Sequence, residues 1–338
     1  MKLVVTGGAG FIGSHFVRMT LAKYPDDSVV VLDKLTYAGN RRNLEDIQND
    51  PRYRFVRGDI GDPAVVDQVT DGADAIVNFA AETHVDRSLL DPASFIETDI
   101  KGVFTLLEAA RKKSVGRFLQ VSTDEVYGSI EEGSFVETDR LTPSSPYSAG
   151  KAGGEMMTMA YHTTHGVDTV ITRGSNNYGP YQYPEKLIPL FITNALDALP
   201  LPLYGDGGNV RDWIHALDHC RGIDTALRCG KPGAVYNVAG DNERDNRYIT
   251  EAILRLTGRD DTLIQYVQDR PGHDRRYSIR ADRLRELGWE PTRSFDEGLA
   301  ETVEWYKSRR DWWEPIKSGA YREYYDTMYA DRLSEAAA

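Results

Sequence analysis

Tyr147 and Lys151 lie four residues apart in Pro146-Tyr147-Ser148-Ala149-Gly150-Lys151, where a helical pattern begins that runs to about His165. Positions i and i+4 share a helix face, so a phenol and an ammonium can point into one site. A tyrosine with a pKa near ~10 is a poor base at neutral pH, and a neighbouring cation favours its phenolate. Tyr147 can then take a hydroxyl proton while hydride leaves the same carbon. Upstream, Val121-Ser122-Thr123-Asp124-Glu125 sets two adjacent carboxylates beside two hydroxyls. One carboxyl, kept protonated by burial or by its neighbour's charge, can donate to a departing hydroxyl. The other, ionised, can take a proton from the adjacent carbon. That C–H becomes acidic enough once an adjoining carbinol is a ketone, and water is then eliminated. The plainer reading is that the two acids cap a helix or face water.

Hydride chemistry needs an acceptor, and the N-terminus offers a place for one. Val4-Val5-Thr6-Gly7-Gly8-Ala9-Gly10-Phe11-Ile12-Gly13 runs from a first strand into a first helix. Glycines at 7, 10 and 13 permit a tight turn, a close backbone approach to a pyrophosphate, and helix packing on the sheet. The helix N-terminus adds unpaired N–H donors. Twenty residues beyond Gly13 the second strand ends at Asp33, a carboxylate placed to bond an adenosine ribose. A 2′-phosphate would meet like charge there, so NAD is expected rather than NADP, and its positive ring would add to the charge of Lys151. Gly58-Asp59-Ile60 after the third strand borders the adenine on this reading. Glycines serving only a turn are the plainer alternative.

These groups need a frame. Leu3–Thr6, Val29–Leu32, Arg54–Val56, Ala75–Phe79 and Phe118–Ser122 read as buried parallel strands, with a helix at Asp99–Lys113 ending in basic residues. The fold class expected is α/β: a doubly wound, parallel Rossmann-type sheet with ligands at the carboxyl ends of its strands, and a smaller mixed α/β lobe. Gly174–Gly208 holds five prolines and looks loop-rich, Val235–Val238 is a further strand, and Asn246–Leu256 and Phe295–Trp313 are helical. A length of 338 residues exceeds the roughly 250–300 at which single cores stop growing. The expected division is a cofactor domain at 1–175 with 209–240 returning to it, a second lobe from 176–208 and 241–330, and a flexible tail at 331–338.

Composition narrows the function classes. Forty basic against 52 acidic residues give a formal charge of −12, a poor basis for binding nucleic acid. No apolar run approaches the ~18–20 residues of a membrane helix. Cys220 and Cys229 lack zinc-site spacing and are read as idle thiols, and no metal site is expected. Met1 leads straight into a strand with no signal-peptide pattern, so a cytoplasmic location is expected. Trp312-Trp313 is read as lobe packing, and His84 and His215 are unassigned.

GGAGFIG (7–13) with YSAGK (147–151) resembles the extended short-chain dehydrogenase/reductase family. STDEVYG (122–128), AAETHVDRS (80–88), NNYGPYQYPEKLIPL (176–190) and DRPGHDRRY (269–277) narrow the resemblance to its dTDP-glucose 4,6-dehydratases, from the first strand to about Lys317. The related epimerases usually lack an acid pair after the Ser/Thr, and GDP-mannose dehydratases more often show a single Glu. The resemblance implies Thr123, Asp124, Glu125, Tyr147 and Lys151 as the catalytic set, with Asp124 the acid, Glu125 the base and Thr123 orienting the substrate. It implies oxidation at C4, loss of water across C5 and C6, and hydride return to C6, with NAD kept bound.

By the same resemblance the cofactor meets Gly7, Gly10, Phe11, Ile12, Gly13, Asp33, Lys34, Thr36, Gly39, Asp59, Ile60, Ala80, Ala81, Thr83, Thr98, Ser122, Tyr147, Lys151 and Asn177. The nucleotide-sugar, dTDP-glucose, meets Thr83, Thr123, Asn176, Lys186, Leu187, Pro202, Tyr204, Arg211, Asn246, Arg270 and His273. A homodimer through Asp99–Lys113 and Tyr147–His165 is implied too. Arg211 as a surface ion pair, and His273 as an ordinary loop histidine, are the plainer readings. The stretch 240–246 departs from the family in its charge, and Asp241 and Asp245 are expected to point outward. Three alternatives stay open: a 4-epimerase of the same family, a dehydratase using another nucleoside diphosphate glucose, and a non-enzymatic NAD-sensing scaffold.

Overall fold

β-branched runs bounded by turns build the centre of the molecule. The computed structural model describes residues 1–269 and 273–318, and beyond them 321, 325, 328, 329, 332 and 333. The strands are β1 (Lys2–Thr6), β2 (Ser28–Asp33), β3 (Tyr53–Arg57), β4 (Ala75–Asn78), β5 (Arg117–Thr123), β6 (Thr169–Gly174), β7 (Asn176–Tyr178), β8 (Leu201–Tyr204), β9 (Val210–His215), β10 (Ala234–Val238), β11 (Glu243–Asp245) and β12 (Ile264–Val267). Seven of them form one parallel sheet in the order β10-β6-β5-β4-β1-β2-β3. Chain order reverses at β1, between β2 and β4, which opens a crevice at the carboxyl ends of those strands.

Side-chain alternation explains why helices cover both faces. Leu3, Val5, Val29 and Val31 join one core with the Phe11–Lys23 and Ala216–Cys229 helices, which pack on each other. Val4, Val30 and Leu32 join the opposite core with the Pro63–Thr70 and Val103–Lys112 helices. The 20-residue Pro146–His165 helix starts from a Ser145/Ser148 capping box with Pro at its first turn, and ends at Gly166 in the left-handed region. The helix expected over Asp99–Lys113 differs in detail: Ile96–Gly102 is wound as a π-helix before regular turns resume at Val103–Lys112. This segment lies against the small-residue face of the Pro146–His165 helix, where a Cβ on Gly154 would come 2.5 Å from the Asp99 carbonyl oxygen. Close approach of the two backbones brings Asp99 beside Lys151.

The second lobe has its own core, with Phe191, Trp213, Phe295, Tyr306, Trp312 and Trp313 buried together. Its sheets are β11-β9-β7 and the parallel pair β12-β8. Of residues 209–240, β9 pairs in the smaller sheet, whereas the Ala216–Cys229 helix and β10 join the main layer. Trp312 Nε1 donates to Asn43 Oδ1 at 2.9 Å and stitches the lobes together. Near the end of the chain, Arg332 donates to the Tyr204 hydroxyl at 2.7 Å, and Gln265 donates to the Leu333 carbonyl at 2.7 Å. Residues 331 and 334–338 lie outside the described residues.

Candidate active site

The glycine turn closes so tightly that side chains cannot enter it. Gly7 has φ +66°, and a Cβ there would lie 2.6 Å from the Ala80 backbone nitrogen; one on Gly13 would lie 2.4 Å from the Gly7 carbonyl oxygen. The helix behind starts at Phe11 with no side-chain cap, so its first N–H groups are available to a phosphate. At the end of β2, Asp33 accepts from the Ala9 amide at 2.9 Å and the Leu35 amide at 2.8 Å, and burial raises its carboxyl above the usual range. Lys34 and Asp59 pair at 2.6 Å across the adjoining strand ends. A glycine cradle that a Cβ would fill, an uncapped helix start and a carboxylate at the next strand end fit an adenine dinucleotide.

β5 carries Thr123 at its end, with Asp124 and Glu125 just beyond, into the cavity. Thr123 caps the short turn Asp124–Tyr127: its Oγ1 accepts from the Glu125 amide at 3.3 Å and donates to Asp124 Oδ1 at 3.2 Å. Asp124 is 2% exposed, and its Oδ2 has no hydrogen-bond partner among the described residues. Burial first, then the charges of Glu125 and Asp212, hold its carboxyl well above the usual range, a shift toward the protonated acid.

The Pro146–His165 helix brings the Tyr147 phenol into the cavity that Thr123 lines, and its Lys151 donates to the Val121 carbonyl at 2.9 Å. Lys151 also stands 3.9 Å from Asp99 Oδ1. The expected lowering of the phenol by Lys151 is not what the chain does alone. Burial first, then Glu125 and Asp99, push Tyr147 well above the ordinary phenol range, because acidic side chains face it from two elements. Burial pulls Lys151 below the usual ammonium value while Asp99 and Glu155 oppose that shift.

Across the cleft, Arg211 is buried rather than a surface ion pair. It donates to the carbonyls of Val210 at 2.7 Å and Asp274 at 2.9 Å and lies 4.3 Å over the Tyr277 ring. Lys186 donates to the Thr83 carbonyl at 2.8 Å, and His273 pairs with Asp269 at 2.6 Å. Asn176 Oδ1 and the Ser122 hydroxyl are buried without hydrogen-bond partners among the described residues. All the residues expected to bind cofactor or substrate or to act in catalysis line one continuous cavity, with Arg270 alone outside the described residues. Asp241 and Asp245 do not line it: Asp241 pairs with Arg285, and Asp245 caps the Asn246–Thr257 helix by accepting from the Tyr248 amide at 2.7 Å.

The cavity also exposes residues the motifs did not single out. Tyr277 and Glu185 sit inside two of the recognised stretches, so the signal was present there. Glu185 is held by Arg87 at 3.0 Å. His219, whose Nδ1 meets Asn177 Oδ1 at 2.9 Å, belongs to a helix with no motif of its own.

The family described as GDP-mannose 4,6 dehydratase matches residues 4–302. A dTDP-glucose 4,6-dehydratase of Streptomyces niveus is 54% identical over 323 residues, 94% of this chain and 96% of that protein. The chain belongs to the dTDP-glucose 4,6-dehydratase family. Among solved structures, the dTDP-glucose 4,6-dehydratase of Streptomyces venezuelae, with NAD and dTDP bound, superposes with a TM-score of 0.92 at 56% identity, covering 94% of this chain and 100% of that one. The UDP-glucose 4-epimerase of Thermus thermophilus, with NAD, reaches 0.85 at 32% identity over 91% of this chain and 100% of that one. The dehydratase and the epimerase thus share this chain's doubly wound sheet. Among the described residues no helix is long and apolar enough to cross a membrane.

Proposed function

We propose that this chain dehydrates dTDP-glucose to dTDP-4-keto-6-deoxyglucose, with NAD held in the glycine cradle. The observation that carries the reading is Asp124, a buried carboxyl shifted toward its protonated form, side by side with Glu125 in the cavity that Tyr147 also lines. When bound, the dinucleotide supplies a hydride acceptor at C4, a donor at C6, and a positive ring charge that favours the phenolate. Tyr147 takes the C4 hydroxyl proton, with Lys151 held in place by Val121. Glu125 takes the C5 proton, made acidic by the new C4 ketone, and Asp124 protonates the C6 hydroxyl, which departs as water. Glu125 then returns a proton to C5. Arg211, anchored by carbonyls on one side and stacked on Tyr277, offers its fork to the diphosphate.

A 4-epimerase would use the same cradle and the same Tyr147/Lys151 pair but has no work for two carboxylates. We assign the homodimer to the helices that carry Ile96, Phe104 and Met156, large apolar side chains exposed at 57%, 44% and 49%. A cytoplasmic location goes with this reading, since an exposed free thiol such as Cys229 persists where thiols stay reduced. Incubation with dTDP-glucose, UDP-glucose and dTDP-galactose separately tests the function. The expected result is a 4-keto product, read by its absorbance in strong alkali, from dTDP-glucose above the others. Interconversion of dTDP-glucose and dTDP-galactose without that product would make the chain an epimerase.

A further inference from the structure

On the dehydratase reading, one nucleotide-sugar is gripped at its diphosphate by Arg211 and oxidised at C4 beside Tyr147. Arg211 stands on β9 of the smaller sheet, whereas Tyr147 opens a helix packed on the main layer. Binding energy gained at the diphosphate speeds the sugar's chemistry only if the two sites keep a fixed spacing. A misplacement of about 1 Å can cost on the order of 10²-fold in rate. No secondary-structure element carries both residues, so the register between them depends on contacts.

The geometry points to Asp274 as the tie: a positioning residue that fastens Arg211 and Tyr277 to the entry of the helix bearing Tyr147. Its backbone carbonyl accepts from Arg211 Nη2 at 2.9 Å and from Asn209 Nδ2 at 3.3 Å. Its carboxylate Oδ2 accepts from the hydroxyl of Tyr277, whose ring lies 4.3 Å from the Arg211 guanidinium. The same oxygen accepts from Ser144 Oγ at 2.6 Å. Ser144 comes just before Ser145, the cap of the Pro146–His165 helix, and three residues before Tyr147. Arg211, Tyr277 and Tyr147 line the cavity, while Asp274 lies outside its lining and acts through them.

Other bonds of this stretch lead elsewhere. The Ile130 amide donates to the Arg276 carbonyl at 3.1 Å, the Phe135 amide donates to the Ser278 carbonyl at 2.9 Å, and Arg276 pairs with Glu243 at 2.6 Å. These fix the stretch on residues 129–135 and on β11, and they do not reach Ser144. Because Oδ2 takes both hydroxyl donors, the tie needs an oxygen acceptor at that point rather than a negative charge. Asparagine in place of Asp274 supplies such an acceptor, and alanine does not.

The test compares Ser144→Ala, Asp274→Ala and Asp274→Asn holoenzymes with wild type, by dTDP affinity in titration calorimetry and by kcat for the 4-keto product. Ser144 is exposed, so its truncation removes the bridge without opening a core. In Ser144→Ala, dTDP affinity stays within about 3-fold of wild type while kcat falls about 10-fold. In Asp274→Ala, kcat falls about 10²-fold, and adding Ser144→Ala costs less than about a further 2-fold, because the shared bond is already gone. Asp274→Asn keeps kcat within about 3-fold of wild type. Unchanged kcat in Ser144→Ala would overturn the tie and leave the dehydratase reading intact. So would Asp274→Ala with weakened dTDP affinity and full kcat, or Asp274→Asn as slow as Asp274→Ala. Wild-type protein that forms no 4-keto product would sink the dehydratase reading instead.

Discussion

Lys151 Nζ lies 3.9 Å from Asp99 Oδ1, with both side chains enclosed and neither Asp99 oxygen making a well-formed hydrogen bond. Burial outweighs the attraction and raises the Asp99 carboxyl to about 7, with the charge of Glu82 adding to the rise. A carboxyl whose folded pKa lies above its unfolded value binds its proton more tightly in the folded state. Its contribution to stability is full at low pH and is lost as pH rises through the folded pKa.

Asp99→Asn cannot ionise and keeps that contribution. Unfolding of the variant and wild type in urea at several pH values should show a gap in favour of the variant. It should widen from about pH 4 to about pH 7 and level off above about pH 8, reaching at most ~4 kcal/mol. A gap independent of pH would mean that Asp99 does not titrate in this range.

Asp124→Asn preserves shape but has no carboxyl proton to deliver. Product formation should fall by about 10²–10⁴-fold, while NAD released on denaturing the purified protein stays at the wild-type amount. Loss of most of the bound NAD would show instead that Asp124 holds the cofactor site together.

Glu125→Gln removes the proposed base and a charge that now raises both Asp124 and Tyr147. Overall turnover should drop by orders of magnitude, yet reduced dinucleotide should still form with substrate, because C4 oxidation precedes the missing step. The acid limb of that first half-reaction should move to lower pH, since the Tyr147 phenol ionises more readily without the neighbouring anion. A limb moved to higher pH, or full dehydratase activity, would contradict the assignment.

Gly13→Ala places a methyl where the Gly7 carbonyl oxygen stands 2.4 Å from the new carbon. The turn must open to admit it. The purified variant should carry less than roughly a tenth of the wild-type NAD while keeping a wild-type circular dichroism spectrum, since one methyl in the first turn of the Phe11–Lys23 helix leaves the sheet's burial unchanged. Normal NAD content would mean that the cradle tolerates what the geometry forbids.

The lining of the candidate site is legible in the sequence because Thr123, Asp124, Glu125, Tyr147 and Lys151 each sit in a short motif at a strand end or helix start, where spacing alone brings side chains together. β6 is harder to read, because Arg173 interrupts it; the residue is buried against Glu155 at 2.6 Å, a pairing across 18 residues that no local pattern shows. The Ala216–Cys229 helix hides its inner face behind Asp218, His219 and Asp224, all buried polar residues with distant partners. The π-wound turn at Ile96–Gly102 lies against a glycine face on another helix, a tertiary relationship no local pattern carries. The direction of the Tyr147 shift escapes local reading for a related reason. Lys151 is visible one helical turn away, but Asp99 approaches from a separate element 48 positions earlier in the chain.

The proposed cycle requires that one hexose be oxidised, dehydrated and re-reduced without leaving the site. dTDP-glucose carrying deuterium at C4 tests this directly, with the product's labelled carbon read by NMR. The deuterium should appear at C6 of the 4-keto-6-deoxy product. Deuterium retained at C4 of a dTDP-galactose product, or lost to solvent, would contradict it.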